Sequence, residues 1–373
     1  MNTGSIGLYI HIPFCLSKCP YCDFYSVKTD GGSIKKYTAA VVNAIKSRPL
    51  GGLSVDTVYF GGGTPSVIGA ENLAEILQAA RDSFLVEQNA EITLEANPGT
   101  VDLSFFSELK KAGFNRLSMG LQSANDGQLK LLGRRHNADE AKAAVLSAQK
   151  AGFDNISLDI MLGIPQQTEK IVEKSIDFCA SLNVSHISAY MLKIEPNTPF
   201  YKSNIADICP DEDMQADLYL HAVYCLETRG YKQYEISNFA RDGKKSRHNL
   251  KYWHCEQYLG IGPSAHSFIN GRRFYFDRDI NKFIACANPF DSVIDDGEGG
   301  GAEEYIMMSL RLSEGLNLKT LYEKYFVDKD IIIKKANPMI KAGLAVINGD
   351  NLSLTPRGFL ISNSIIAELI SII

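Results

Sequence analysis

The sequence predicts an α/β fold, a partial (β/α)6 TIM-like barrel followed by a helical, winged-helix-like module. Three observations predict it. From residue 7 to about residue 193, short apolar runs alternate with amphipathic helical patterns, the rhythm of successive βα units around a parallel sheet. One segment recurs: Lys111-Ala112-Gly113-Phe114 returns as Lys150-Ala151-Gly152-Phe153, each leading into a strand that carries Leu117-Ser118 or Ile156-Ser157, with a third strand copy at Ile187-Ser188. Polar and glycine residues gather at one end of otherwise apolar strands.

The expected strands run from Leu8 to Ile12, Thr57 to Phe60, Glu91 to Glu95, Arg116 to Gln122, Ile156 to Met161 and Ile187 to Leu192. The helices between them cover Ile34 to Arg48, Asn72 to Phe84, Leu103 to Ala112, Asp139 to Ala151 and Glu169 to Leu182. Gly113 and Gly152 stand where a helix closes in a left-handed cap before the next strand. Right-handed crossovers put the helices outside and bring the loops after the strand C-termini onto one rim, the ligand-binding end of such barrels. That rim holds the Cys15 loop, Gly61-Gly62-Gly63, Glu95, Gln122, Asp159 and Lys193.

After Pro196 the pattern changes. A long helix is expected from Asp211 to Arg229, then a strand near Tyr234 to Ile236, an irregular Gly- and aromatic-rich stretch to Phe276, and a linker from Gly297 to Gly301. Helices follow around Glu303 to Leu312, Leu318 to Tyr325 and Asp330 to Ala342. A hairpin from Val346 to Leu354 turns at Asn348-Gly349-Asp350-Asn351, and a terminal helix ends the chain. The expected division is residues 1–235, the barrel; 236–296, an extension of it; and 297–373, the C-terminal module.

Composition narrows the function. With 373 residues the chain is long enough for two or three domains and a large core. Lys and Arg total 38 against 43 Asp and Glu, a net charge of −5, and no basic block or face marks a nucleic-acid binder. No apolar stretch is long enough to span a bilayer, and the N-terminus lacks the pattern of a secretory signal, so a cytoplasmic protein is expected. Eight cysteines are too sparse for a disulfide framework. Cys179 and Cys225 are expected to be small buried hydrophobes.

The cysteines that carry chemistry are Cys15, Cys19 and Cys22, in Cys15-Leu16-Ser17-Lys18-Cys19-Pro20-Tyr21-Cys22 just after the first strand. Thiolates hold iron–sulfur clusters, normally four per cubane, and three leave one iron open for a further ligand. A fourth ligand from His11 or Asp23 would instead close a structural zinc site. Gly61-Gly62-Gly63-Thr64-Pro65 lets bare backbone approach a ligand, although a glycine triplet alone is more often a turn. Glu95, Gln122 and Asp159 offer acceptors suited to ribose hydroxyls, and Arg134 a fork suited to a carboxylate, with Arg135 as its neighbour and competitor.

C-x3-C-x2-C after the first of six βα units resembles the radical S-adenosylmethionine (SAM) superfamily. That resemblance implies a [4Fe-4S] cluster on Cys15, Cys19 and Cys22, whose open iron takes the amino and carboxylate groups of SAM. An electron from the cluster then releases methionine and a 5′-deoxyadenosyl radical. It implies SAM-binding roles for Tyr9, Tyr21, Gly62, Gly63, Thr64, Glu95, Gln122, Arg134 and Asp159, with Tyr21 near adenine and the glycines near the methionyl amine.

Tyr9-Ile10-His11-Ile12-Pro13-Phe14-Cys15, the GGGTP element and Gly260-Ile261-Gly262-Pro263-Ser264-Ala265-His266-Ser267 narrow the resemblance. So does Leu354-Thr355-Pro356-Arg357-Gly358 near the C-terminus. The chain is similar, nearly end to end, to the branch holding oxygen-independent coproporphyrinogen III dehydrogenases and HemW heme chaperones. The dehydrogenases carry a further cysteine where this chain has Phe24, and a longer arm before the cluster. His248-Asn249-Leu250-Lys251-Tyr252-Trp253 matches the H-N-x-x-Y-W element of the chaperones. Imidazole is a good axial ligand to heme iron, so His248 is the expected ligand with Tyr252 and Trp253 as pocket walls; a core histidine is the alternative. His266, His254 and Cys255 compete, and Arg272, Arg273 and Arg278 could pair propionates.

The resemblance therefore implies a heme chaperone that binds heme and a SAM-ligated cluster and transfers heme to an acceptor protein. The alternative is a dehydrogenase acting on coproporphyrinogen III, so catalysis stays open. A membrane-associated acceptor and a homodimer are both compatible with the sequence.

Overall fold

Residues along a strand point alternately to opposite faces, and in the barrel strands the two faces differ in chemistry. The computed structural model describes residues 4–29, 31–48 and 53–373, and six parallel strands lie side by side in it. They are β1 (Ile6–Ile12), β2 (Ser54–Gly62), β3 (Leu85–Ala96), β4 (Arg116–Gln122), β5 (Ile156–Leu162) and β6 (His186–Met191). Leu8, Ile10, Val58, Phe60, Leu94, Leu117, Met119, Leu158 and Ile187 are fully buried in the common core, each burial contributing about 1.5–3 kcal/mol. The alternate positions are largely polar: Thr57, Glu91, Thr93, Arg116, Ser118, Ser157 and His186 are also buried.

The helices are α1 (Gly32–Ser47), α2 (Gly69–Ser83), α3 (Leu103–Ala112), α4 (Asp126–Leu131), α5 (Ala138–Lys150), α6 (Glu169–Ser181) and α7 (Glu212–Thr228). Gly113 and Gly152 take positive φ at the ends of α3 and α5, so the repeat has the mechanical role expected of it. Helix α4 was not expected; Asn125 caps it by accepting from the Gln128 amide.

The region after α7 corrects the sequence reading. Strands form at β7 (Lys232–Gln233) and β8 (Asn238–Ala240), and β8 pairs antiparallel with β6. Tyr234–Ile236, expected as a strand, instead leaves the sheet: the Ile236 amide donates to the Arg311 carbonyl and the Ser313 amide to the Tyr234 carbonyl. The stretch expected to be irregular holds helix α8 (Arg247–Trp253) and strands β9 (Tyr258–Ile261), β10 (His266–Ile269) and β11 (Arg272–Tyr275). β9 adds parallel to the outer side of β1, and β10, β11 and β12 (Ile294–Glu298) continue antiparallel, so Gly297 lies in an edge strand and not in a linker. The result is one open 12-stranded sheet.

Helices Ala302–Ser309, Leu318–Tyr325 and Lys329–Lys341 pack with a small sheet in the order Leu316–Asn317, Asn351–Leu354, Ala345–Asn348, a winged-helix-like arrangement closed by Ser362–Ile370. Its buried residues Ile306, Leu316, Leu321 and Ile332 belong to the same core cluster as the barrel.

Candidate functional site

The C-terminal ends of β1 to β6 converge on a cavity of about 920 Å³. Cys15, Cys19 and Cys22 line it, together with Tyr9, Tyr21, Gly62, Gly63, Thr64, Glu95, Gln122, Arg134 and Asp159. Twelve residues scattered from position 9 to position 159 are thus brought to one wall system.

The cysteine loop follows β1, where the short pair Phe14–Cys15 and Val27–Lys28 ties its two ends together. Cys15 is buried, with its Sγ 3.6 Å from Thr64 Oγ1; Arg134 Nη1 donates to Cys19 Sγ at 3.6 Å. Burial pushes the Cys22 thiol up, the Phe24 backbone and the Lys18 ammonium partly offset this, and the nearby Cys19 and Cys15 add to it. Among the described residues no three His, Cys, Asp or Glu side chains converge on a single ion. His11 has both ring nitrogens engaged, Nδ1 with the Tyr9 hydroxyl at 3.1 Å and Nε2 with the Tyr25 carbonyl at 3.0 Å.

The glycine turn is shaped by lack of room. Gly62 has φ 113°, and a Cβ there would come within 2.5 Å of the His11 ring; one on Gly63 would lie 2.7 Å from the Phe14 carbonyl oxygen. The Gly63 amide donates to the Ile12 carbonyl at 2.9 Å and the Thr64 amide to the Phe14 carbonyl at 2.8 Å, which locks the glycine turn to the cysteine loop.

Glu95 accepts from the Tyr59 hydroxyl at 2.7 Å and the Gly62 amide at 3.2 Å. Burial nevertheless pushes its carboxyl up to about 7. Burial also raises Asp159, partly offset by the Ser188 and Ser118 hydroxyls; Ser118 donates to it at 3.2 Å. Gln122 sits beside a register irregularity at the end of β4 with φ 71°, a left-handed conformation at a site-lining residue, and accepts from the Tyr190 hydroxyl at 2.7 Å. Arg134 also donates to the Gly120 carbonyl at 2.7 Å, and its buried Nε has no partner among the described residues. Arg135 does not line the cavity.

The H-N-x-x-Y-W element reaches the cavity through one residue. Of its three expected heme residues only Tyr252 lines the cavity. His248 is 1% exposed in the barrel interior, behind Tyr9 and Tyr252, which line the cavity: Nδ1 pairs with Thr57 Oγ1 at 2.8 Å, Nε2 with the Tyr252 hydroxyl at 2.8 Å, and the ring stacks on Tyr59. Gly7 leaves it room, since a Cβ there would be 3.0 Å from the ring. Glu91 accepts from the Arg247 and His248 amides and so pins the start of α8. In this conformation His248 is a core histidine, with neither nitrogen free for iron. Trp253 sits at the junction with the C-terminal module, under the Arg311 guanidinium.

Sequence reasoning missed Tyr59, Tyr190 and Tyr258. Tyr190 shares the inward face of β6 with Ser188, which strand alternation could have revealed.

Comparison with known proteins bears on the same residues. The Radical SAM superfamily model matches residues 9–179, and the HemN C-terminal domain model matches residues 302–361. The chain is 33% identical to heme chaperone HemW of Mycobacterium tuberculosis over 377 residues, covering 98% of this chain and 94% of that protein. It is 33% identical to heme chaperone HemW of Escherichia coli over 384 residues, covering 97% of each. The solved structure of coproporphyrinogen III oxidase (HemN) from Escherichia coli superposes with a TM-score of 0.85 at 22% identity, over 100% of this chain and 91% of that one, a likeness of fold. With a shared architecture and identity running nearly the full length of both chains, this protein belongs to the HemW heme chaperone family of the radical SAM superfamily.

Proposed function

We propose that the protein is a heme chaperone that carries a SAM-ligated [4Fe-4S] cluster, binds heme and passes it to an acceptor protein. The observation that carries this reading is the 33% sequence identity, running nearly end to end, to proteins named heme chaperone HemW.

The donor set suits the cluster: three thiols from one loop border one cavity. Cys15, Cys19 and Cys22 would hold the cluster, and a fourth thiolate being absent from the loop leaves a ligand position that SAM would take. The cluster and SAM supply one-electron chemistry when bound. The chain's own part is to position and exclude water. The backbone at Gly62 and Gly63 receives the methionyl amine, the unpartnered Nε of Arg134 faces the carboxylate, and Glu95, Gln122 and Asp159 take ribose hydroxyls. Thr64 steadies Cys15, while Tyr9 and Tyr21 flank the nucleotide. The H-N-x-x-Y-W element serves as support: His248 holds Tyr252, which lines the cavity, and Trp253 holds the junction. The barrel is assigned to residues 1–235, its extension to 236–296 and the C-terminal module to 297–373.

The acceptor proposed is a hemoprotein reached from the cytoplasm, membrane-associated or not. No helix among the described residues is long and apolar enough to cross a membrane. A homodimer is part of the same proposal, measurable by light scattering.

The test is anaerobic reconstitution, followed by a heme titration and a coproporphyrinogen III assay on one preparation. We expect iron and sulfide in the protein, a heme-dependent Soret band and no sustained protoporphyrinogen formation. Sustained turnover with SAM and a reductant would replace the chaperone with the dehydrogenase.

A further inference from the structure

The chain has seven histidines, and the structure accounts for the ring nitrogens of nearly all of them. His11 and His248 are engaged as described. His136 bonds Asn97 and the Leu121 carbonyl, and His186 bonds Ser157 and Tyr234. His221 lies against Cys225 and Glu169, and His254 against Glu314 and Glu256. His266 is the exception: among the described residues neither of its ring nitrogens makes a hydrogen bond or ion pair. It is exposed, it lines the cavity of the cysteine loop, and its ring stacks on Tyr275 with centroids 4.9 Å apart, which fixes the imidazole plane.

The arginines sort the same way. Arg272 is paired with Asp295, and Arg273 with Glu304 and the Tyr258 hydroxyl. Arg278 lines the cavity, is exposed, and its guanidinium has no partner among the described residues. Phe24 lines the same cavity and exposes 69% of its surface, an uncovered apolar ring beside the third cysteine. The two sides of the mouth touch: the Ile280 amide donates to the Tyr25 hydroxyl at 3.0 Å, which ties the cysteine loop to the segment that follows Arg278.

A free, orientated imidazole, an unpaired guanidinium and an exposed aromatic face around one opening match the three parts of an iron porphyrin: open axial iron, carboxylate side chains and flat apolar macrocycle. We infer that heme sits at the mouth of the cluster cavity, with His266 as axial ligand, Arg278 on a propionate and Phe24 against the macrocycle. The inference rests on the proposed function, and moves the heme ligand from His248, packed behind the cavity wall, to His266 on the cavity itself. Partial burial, with Arg273 and Arg278 close by, lowers the His266 pKa despite Asp296, which favours the neutral imidazole that binds iron.

The test is a hemin titration of the full chain with its cluster assembled, comparing the parent protein with His266→Ala, Arg278→Gln and His248→Gln. His266→Ala should lose the histidine-ligated spectrum and bind at least about tenfold more weakly. Added imidazole should restore that spectrum, which a purely structural loss would not allow. Metal-free protoporphyrin, having no iron to ligate, should bind His266→Ala and parent alike. Arg278→Gln should weaken hemin but not hemin dimethyl ester, and His248→Gln should keep the ligated spectrum. Unchanged spectrum and affinity in His266→Ala, or their loss in His248→Gln, would overturn the placement. A parent protein that takes up no heme at all would remove the proposed function itself, a different and separately visible result.

Discussion

His248 shows how a residue's meaning depends on whether it lines a cavity or packs behind the wall of one. Buried, it is held neutral, its pKa lowered to about 3 chiefly by burial, with Lys251 and Arg116 adding to it. Unfolded, it takes up a proton below its usual 6.5, so its contribution is complete above that value and is lost as pH falls from 6.5 toward 3. His248→Gln should cost about 1–3 kcal/mol at pH 8 through the broken bonds to Thr57 and Tyr252. The gap to the parent should narrow at pH 4, read from urea midpoints at both values. Glu95 has the opposite sign. Its folded carboxyl titrates near 7 against an ordinary 4.5, so the ionised form is penalised and stability falls as pH rises through that window. Glu95→Gln should raise the thermal midpoint of the SAM-free protein at pH 8 while weakening SAM binding in calorimetry.

At the scale of the element, the legible parts of the sequence were those with strong periodicity. β4 and α3 lie where alternation and amphipathic spacing put them, and the polar strand ends do meet at one cavity. The region after α7 was obscure because its strands are short, so no window holds enough alternation to compete with its glycines. One signal was there. Asn270-Gly271, both at positive φ, forms the tight turn joining β10 to β11, and Asn-Gly between Phe268-Ile269 and, two residues on, Phe274-Tyr275 is a strong hairpin mark. His248 was misleading for another reason: a histidine four residues before a tyrosine reads alike for a ligand and its wall, or for two side chains bonded to each other. The turn after β2 gives a prediction of its own. Gly62→Ala would force a Cβ into the His11 ring at a left-handed φ, costing about 1–3 kcal/mol. Because the adjacent amides anchor the cysteine loop, iron content after reconstitution should fall along with the thermal midpoint.

For the whole molecule, the junction between sheet and C-terminal module is built from core. Glu235 is 1% exposed there, pairs across to Leu312, and is pushed up to about 7 by burial, while the Arg311 guanidinium lies over the Trp253 ring. One continuous apolar cluster runs through both parts. Unfolding by urea should therefore follow one transition, with fluorescence of Trp253 and far-UV circular dichroism giving the same midpoint; separated midpoints would show that the parts melt independently. The ends of the long sheet carry a different consequence. One is β12, with Asp295, Asp296 and Glu298 along its five residues; the other is β7, two residues long with a lysine. A wide sheet left unclosed is a template for stray chains, yet here one border repels by charge and the other is too brief to pair. The fold can leave its ligand-binding side open without inviting aggregation through its margins.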